Sequence, residues 1–390
     1  MSPPDARPPG AERQHGPKRP ARLVLVGVGG FGLVHAERIA QLQAGGAVAL
    51  VAAVDPTRAA APPMIAGTPM FGDLDAVLRS QGPVDVVVVA APIAEHVRLA
   101  ELAMLGGADV LLEKPPAATF TDFSRLLEVQ RRSDRVVQVG FQSLGSKALP
   151  LFRTEQLGIG DVVDVTAMGA WSRTVGYWSR SPWAGRRTLH GQPVVDGVVT
   201  NALAHATAAA LAVLGCRHAD DVAAVDVDLY RANAIESDDT SAVRIRTSSG
   251  KTVTCAYTLC APTPRDPVVR VRGTRGRVDY FYTEDRLEIR AGEGTRSLVV
   301  AREDLLENLL AFRRGEAELL VPLSSTGAFM RVVDAVERAD EPVQIDPSAV
   351  IWSGEGSDRR PVVVGIEEAL QRVVETGRTF TELALPWTPR

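Results

Sequence analysis

Through the first 140 residues, short apolar runs alternate with longer segments of helical spacing. Residues 23–26 (LVLV) are apolar at every position and stop at a glycine, the pattern of a strand buried on both faces. Residues 33–43 read as a helix, and residues 48–54 (VALVAAV) return to the continuous apolar run of a second strand. The alternation continues with a short helix at 74–78, a strand at 84–89, and a helix carrying Val97, Leu99, Leu102 and Leu105. A strand at 109–112, a helix at 120–132 and a strand at 136–139 complete it. Continuous apolar strands joined by short helical links predict an α/β domain with a doubly wound parallel sheet.

After Gly140 the period changes. Strand-like runs at 162–168, 222–230, 242–247, 252–258, 268–272, 277–281 and 287–291 are joined by turns such as Ser248-Ser249-Gly250-Lys251. They predict an α+β domain built on a large, open, mostly antiparallel sheet, followed by helical segments at 305–314, 328–339 and 362–376. The expected organisation is a disordered tail at 1–20, a first domain at 21–145 and a second at 146–390. No internal repeat is evident.

Composition changes this picture little. A length of 390 residues suits about two domains, and 45% hydrophobic with 23% charged residues is ordinary for a soluble globular chain. The net charge of -4 and the lack of a long basic run after the N-terminus give no reason to expect nucleic acid. No apolar run reaches the roughly 18 residues that cross a bilayer, so no membrane partner is expected. Cys216, Cys255 and Cys260 fit no metal-binding spacing; they read as buried thiols of a reducing, cytoplasmic compartment, with no metal site. Residues 1–20 hold six prolines and no apolar stretch of a signal peptide, which is why they read as a tail.

The candidate chemistry begins where the first strand ends. Gly27, Gly29 and Gly32 have the spacing G-x-G-x-x-G between a strand and a helix. Gly27 permits a tight turn, Gly29 lets the backbone approach a pyrophosphate, and Gly32 lets the helix pack close to the strand. The helix then aims its amide-rich N-terminus at the phosphates. Asp55 ends the second strand, 28 residues past Gly27, where an acid accepts hydrogen bonds from the adenosine ribose. The plainer alternative is that Asp55 only opens the Asp55-Pro56 turn.

GVGGFG, Asp55, the turn from Pro92 to His96, LLEKPPA at 111–117, VGFQ at 139–142, and the Asn201–His205 helix followed by Leu214-Gly215 occur in one order. In that order they resemble the Gfo/Idh/MocA family, the group of glucose-fructose oxidoreductase and inositol dehydrogenase. The resemblance covers residues 20 to about 385, and Glu113-Lys114-Pro115 at a strand end is its most specific element. It implies an N-terminal Rossmann domain, a C-terminal α+β domain whose sheet forms the oligomer interface of a homodimer or homotetramer, and nicotinamide-dependent oxidoreduction of a sugar, cyclitol or related polyol. It implies cofactor contacts from Gly27, Gly29, Gly30, Phe31, Gly32, Asp55, Arg58, Ala91, Pro92, His96, Glu113, Lys114 and Gln142. A cis bond between Lys114 and Pro115 is a further implication. Two positions depart from the family pattern: Asn201 stands where many relatives carry an aspartate, and Ile93 where many carry asparagine.

Oxidising a carbinol requires hydride transfer to a nicotinamide and removal of the hydroxyl proton. Lys114 is the first candidate base, because an amine beside a positively charged nicotinamide ring should have a lowered pKa. The bland reading is a surface lysine after a strand. His205 is the second candidate. On a helix spanning 200–214, Asn201 and His205 are i and i+4 and share a face with Ala208 and Ala212, small residues that suggest a face open to a ligand. Asn201 cannot take a proton as a carboxylate would, but can orient a substrate hydroxyl. The segment 171–187 (WSRTVGYWSRSPWAGRR) holds three of the five tryptophans and four arginines, and reads as a substrate lid. Tyr177, Trp178, Arg180 and Trp183 are its candidate contacts, with Asp196 a weaker polar candidate. The bland alternative is an inter-strand excursion packed on a partner subunit. Asp55 repels a 2′-phosphate and favours NAD, although Arg58 would accommodate NADP. Two other readings stay open: redox-neutral, NAD-dependent glycoside cleavage, and a non-catalytic NAD-binding sugar sensor.

Overall fold

The computed structural model describes residues 19–292 and 294–388. The tail expected at 1–20 therefore lies outside the described residues, except for Arg19, which pairs with Asp85 at 2.6 Å, and Pro20. The chain forms two units. The first comprises residues up to 117, 121–140 and 304–324; the second comprises 118–120, 141–303 and 325 onward.

In the first unit β1 (Ala21–Val26), α1 (Gly32–Ala44), β2 (Val48–Val54), β3 (Met70–Phe71), α2 (Leu74–Ser80), β4 (Val86–Val89), α3 (His96–Leu105), β5 (Asp109–Leu112), α4 (Phe120–Ser133) and β6 (Val137–Val139) follow in order. Their sheet runs β3-β2-β1-β4-β5-β6 with every pairing parallel, which is the doubly wound order. Leu23, Val24, Leu25 and all four valines of β4 have no exposed surface, as strands covered on both faces require. The two-residue edge strand β3, which directly follows Pro69, has no apolar run to announce it.

The first unit is completed from far along the chain. Helix Leu305–Arg313 is capped by Asp304, whose side chain accepts the amide of Glu307 at 2.9 Å. The Gln138 amide, wholly buried, donates to the Leu305 carbonyl (3.0 Å) and Asn308 Oδ1 (2.6 Å) and accepts from the Val321 amide (2.9 Å). Arg313 pairs with Asp85 at 2.8 Å and with the buried Asp109. A buried glutamine left unpaired would cost about 1–3 kcal/mol, so these bonds tie the return to β6.

In the second unit β7 (Val162–Ser172), α5 (Ala204–Val213), β8 (Val222–Arg231), β9 (Thr240–Thr247), β10 (Thr252–Thr258), β11 (Cys260–Gly273), β12 (Gly276–Phe281), β13 (Arg286–Ala291), β14 (Gly294–Val299), α6 (Gly327–Arg338) and β15 (Val343–Gln344) come first. The nine-stranded sheet runs β14-β13-β12-β11-β7-β10-β9-β8-β15, antiparallel except for β7 with β10 and β8 with β15. All seven expected strands are present. The two edges were not anticipated, because β14 is exposed throughout and β15 has two residues.

The chain then forms a hairpin of β16 (Val350–Ser353) and β17 (Arg360–Val363) before α7 (Ile366–Thr376). The helix expected from 362 therefore starts later. Gly365, at φ 71°, separates strand from helix. Helix α7 buries Ile366, Leu370 and Val373 in a cluster with Tyr230, Ala242, Ala256, Phe380 and Trp387. Against β7, a Cβ on Gly169 would meet Leu203 Cδ1 at 2.5 Å, so glycine there lets the segment before α5 approach the sheet.

Candidate functional site

In the first unit the glycine turn is built by close approach. Gly27 takes φ 84°, donates to the Val54 carbonyl at 2.8 Å, and lies where a Cβ would meet the Ala90 carbonyl oxygen at 2.4 Å. A Cβ on Gly32 would stand 2.1 Å from the Gly27 carbonyl oxygen, so α1 starts hard against the strand end. The first turn of α1 carries no acidic side chain, which suits an anion. Phe31 and Gly30 lie at the rim of the turn, Phe31 half exposed.

Asp55 sits at the end of β2 and accepts the Val28 amide (3.3 Å), the Thr57 amide (2.9 Å) and the Thr57 hydroxyl (2.7 Å). Partial burial pushes its pKa up, but these hydrogen bonds and Arg58 outweigh it and hold the carboxyl below its ordinary range. Asp55 is thus a carboxylate at neutral pH, with the chemistry to accept ribose hydroxyls and to repel a 2′-phosphate. Arg58 lies 3.9 Å from it and reaches to 3.2 Å from where a Gly29 side chain would begin. Glycine cradle, helix terminus and carboxylate together fit an NAD-type dinucleotide.

Two loops leave the carboxyl ends of β4 and β5, and His96 joins them. With 1% of its surface exposed, His96 meets the Pro115 carbonyl through Nδ1 (2.8 Å) and the Ala91 carbonyl through Nε2 (2.9 Å). Burial lowers its pKa despite both carbonyls. His96, an expected cofactor contact, thus also sits between the Ala91-Pro92 and Pro115 loops, each ring nitrogen lying against a backbone carbonyl. The Lys114-Pro115 bond is cis. Glu113 binds His35 Nε2 at 2.9 Å through one oxygen and the Lys114 amide at 3.3 Å through the other. His35 is on α1, so this contact links the glutamate-lysine-proline loop to the dinucleotide helix. Gly140 makes room, since a Cβ there would meet Glu113 Oε1 at 2.6 Å.

In the second unit Gln142 opens a helical turn, Gln142–Gly145, and the next residue, Ser143, reaches His205 Nδ1 at 3.2 Å. Phe141 packs edge-on to the imidazole at 5.6 Å and Tyr282 stacks on it at 6.4 Å. The ring therefore has a fixed direction. The open face expected along the helix is corrected: Ala208 and Ala212 are about 5% exposed, and they line a small pocket of 10 Å³ with Phe141, Leu144 and Phe329. Only the His205 end of that face is partly exposed.

The continuous helix over 200–214 is also corrected. Val198–Ala202 is a π-type turn, with the Ala202 amide on the Gly197 carbonyl (3.1 Å) and the Leu203 amide on the Val198 carbonyl (2.8 Å), and α5 starts only at Ala204. Asp238 imposes this: its carbonyl takes the Val198 amide (3.0 Å), and its carboxylate takes the Val199 amide (3.4 Å) and the Ser241 hydroxyl (2.8 Å). The widened turn directs the Asn201 amide onto Asp196 Oδ1 at 2.8 Å. The other oxygen of Asp196 accepts the Gly185 amide at 2.7 Å and lies 3.8 Å from Arg180. The carboxylate missing at 201 is present next to it, from a buried residue five positions earlier.

Within the arginine-rich segment, Arg180 stacks on Tyr177 (3.6 Å) and Trp183 (4.8 Å), and Trp178 packs edge-on to Tyr177 at 5.0 Å. Four residues carry weight that the sequence reading missed or underrated: His35, Ser143, Asp196 and Tyr282. Ser143 directly follows the VGFQ motif and His35 lies in the dinucleotide helix, so adjacency was the available signal; Tyr282 had none.

Two family models match. The first, described as an oxidoreductase family with an NAD-binding Rossmann fold, covers residues 21–141; the second, the GFO/IDH/MocA C-terminal domain, covers 154–279. The inositol 2-dehydrogenase of Leifsonia xyli subsp. xyli is 34% identical over 120 residues, 30% of this chain and 35% of that protein. Inositol 2-dehydrogenase 1 of Saccharopolyspora erythraea is 38% identical over 123 residues, 30% of this chain and 36% of that protein. The alignment with these curated relatives spans about a third of their length. The WlbA dehydrogenase of Bordetella pertussis, solved with NADH and UDP-GlcNAcA, superposes with a TM-score of 0.67 at 21% identity over 82% of this chain and 96% of that one. That likeness shows the shared fold.

Proposed function

The chain belongs to the Gfo/Idh/MocA oxidoreductase family, and from that premise we propose an NAD-dependent dehydrogenase or reductase that acts on a CH-OH carbon of a sugar, cyclitol or related polyol. The observation that carries the reading is the pairing of a steric glycine cradle with a carboxylate at Asp55. Bound nicotinamide supplies the hydride acceptor or donor. The protein's own residues must hold the substrate hydroxyl and move its proton.

Lys114 Nζ is assigned to the substrate hydroxyl, on a loop whose direction is set by Glu113 and His96. His205 is assigned to the proton. Its Nδ1 meets Ser143 at 3.2 Å, which aims the ring, and an imidazole exchanges a proton near neutral pH. Asn201 orients a hydroxyl, with its own amide held by Asp196. The buried carboxylate at Asp196 offsets the loss of the family aspartate, which removes the main support for a non-catalytic sensor. The similarity to inositol 2-dehydrogenases favours a cyclitol or sugar substrate.

We also place the protein in the cytoplasm as a homo-oligomer joined through the second unit's sheet. Cys216, Cys255 and Cys260 are all unbridged and buried, as a reducing compartment allows, and no helix among the described residues is long and apolar enough to cross a membrane. The test is thermal stabilisation by NAD, NADH, NADP and NADPH, followed by a polyol and sugar panel read at the NADH absorbance. Stabilisation by NAD or NADH with net NADH formation supports the reading. Product without net NADH points to redox-neutral cleavage, and no stabilisation refutes the dinucleotide site.

A further inference from the structure

Resting on the dehydrogenase reading above, we propose that the substrate carries an oxyanion, a carboxylate or a phosphate, and that Arg173 binds it. The four arginines of the segment 171–187 differ sharply in their partners. Arg186 is paired with Glu236. Arg187 donates to the carbonyls of Val336 (3.0 Å), Glu337, Ala339 and Asp340 (each 2.8 Å) and so caps the end of α6. Arg180 donates to the Tyr177 carbonyl at 2.8 Å and faces Asp196.

Arg173 has no such partner. Among the described residues no carboxylate is within ion-pair distance of it; the guanidinium donates from Nη1 to the Ser172 carbonyl at 3.2 Å, and its Nε is buried and unbonded. The guanidinium is nevertheless held, 4.9 Å from the Trp171 ring and 4.8 Å from the Tyr177 ring. Ring faces fix its plane but offer no lone pairs to its N–H groups. A planar fork held by aromatic rings, with its charge uncompensated, is the arrangement that takes an oxyanion on two parallel hydrogen bonds.

A second observation concerns the same segment of chain. Four buried side-chain polar atoms without a hydrogen-bond partner, Ser172 Oγ, Arg173 Nε, Trp178 Nε1 and Ser181 Oγ, fall within ten residues. Folded chains leave only a few such atoms per 100 residues, each costing about 1–3 kcal/mol, so four potential donors in one short segment call for acceptors from outside the chain. An anionic, hydroxyl-rich molecule supplies them. The site is continuous with the turn that carries Asn201: Arg173 and Arg180 both stack on Tyr177, Arg180 faces Asp196, and Asp196 holds Asn201.

The experiment compares D-glucose, D-glucuronate and glucose 6-phosphate as probes, by turnover and by isothermal titration in the presence of NADH. It uses the full chain, Arg173→Gln, Arg173→Lys, and Arg290→Gln, an exposed residue of β13, as a control. The wild type and the control are expected to favour one anionic probe over glucose by about tenfold or more in kcat/KM or in affinity. Preference for glucuronate identifies a carboxylate, and preference for glucose 6-phosphate a phosphate. Arg173→Gln should bring the anionic-to-neutral ratio to about one by raising KM or Kd, and Arg173→Lys should recover part of it, since an ammonium lacks the planar fork. An unselective wild type, or equal losses on neutral and anionic probes in the variants, overturns the proposal. If no probe turns over, the titrations decide in the same way. Lack of NADH binding by the wild type would instead overturn the dehydrogenase reading.

Discussion

Replacing Gly32 by alanine isolates the steric part of the dinucleotide cradle. The added Cβ would stand 2.1 Å from the Gly27 carbonyl oxygen and 2.9 Å from its carbon, where real contacts essentially never fall below 3.0 Å. The obstacle is backbone, so it cannot rotate away, and the first turn of α1 must withdraw by about 1 Å. Gly32 is not in the left-handed region, so the cost is packing alone, about 1–3 kcal/mol. The same shift lengthens hydrogen bonds from the helix terminus to a pyrophosphate, worth about 1.5–3 kcal/mol for a charged acceptor, so NADH affinity should fall about ten- to a hundredfold. Gly46→Ala is the control: φ 74° with open space around it predicts about 1 kcal/mol of left-handed strain and unchanged NADH binding. Urea unfolding followed by circular dichroism and NADH fluorescence titration measure both quantities. A Gly32→Ala protein with the wild-type urea midpoint and a Kd within about twofold would refute the reasoning, as would equal weakening by Gly46→Ala.

Other perturbations probe different links. Asp55→Ala should weaken NADH by about tenfold and narrow the preference for NADH over NADPH in paired titrations, because it removes both the ribose acceptor and the charge facing a 2′-phosphate. His205→Gln should lower kcat by about a hundredfold or more while NADH affinity is kept, and Ser143→Ala should lower it less, as expected if the serine only aims the ring; equal kcat in His205→Gln and wild type removes His205 from the chemistry. Asn201→Asp should impair rather than restore a family-type relay, since a second carboxylate would face Asp196 Oδ1 across the present 2.8 Å contact and both cannot ionise. Its stability relative to wild type should fall as pH rises from 5 to 8, measured by urea midpoint, and a pH-independent difference contradicts this. Burial raises the Asp238 carboxyl from 3.8 to about 6 against its hydrogen bonds to Ser241 and Val199. The folded state then binds that proton more tightly than the unfolded one, so the stability it contributes is greatest below about pH 4 and is lost as pH climbs to about 6. Asp238→Asn should therefore gain on the wild type across that window by something on the order of 1–3 kcal/mol, and a flat difference in unfolding free energy would show the assignment to be wrong.

Much of the first unit was legible because burial on both faces writes itself as unbroken apolar runs. β1, β2 and β5 emerge almost residue for residue. The glycine turn was legible too, since a strand, a G-x-G-x-x-G and a helix are contiguous. The central strands of the second sheet showed through their turns. Its edges did not, because an exposed strand such as β14 need not carry apolar alternation.

What the sequence by itself determined is therefore the class of both sheets, the dinucleotide turn with Asp55, and the position of the glutamate-lysine-proline motif on a strand end. Tertiary structure alone decided which side chains meet: His35 with Glu113, Gln138 with the returning 304–324 segment, Ser143 with His205, Asp196 with Asn201, and which of four neighbouring arginines is left without a counter-charge. Periodicity reports how a residue is buried relative to its own helix or strand. Hydrogen-bond partners are chosen by register and topology across tens to hundreds of residues, as when Asp238 widens the turn at 198–202 and so directs Asn201 onto Asp196.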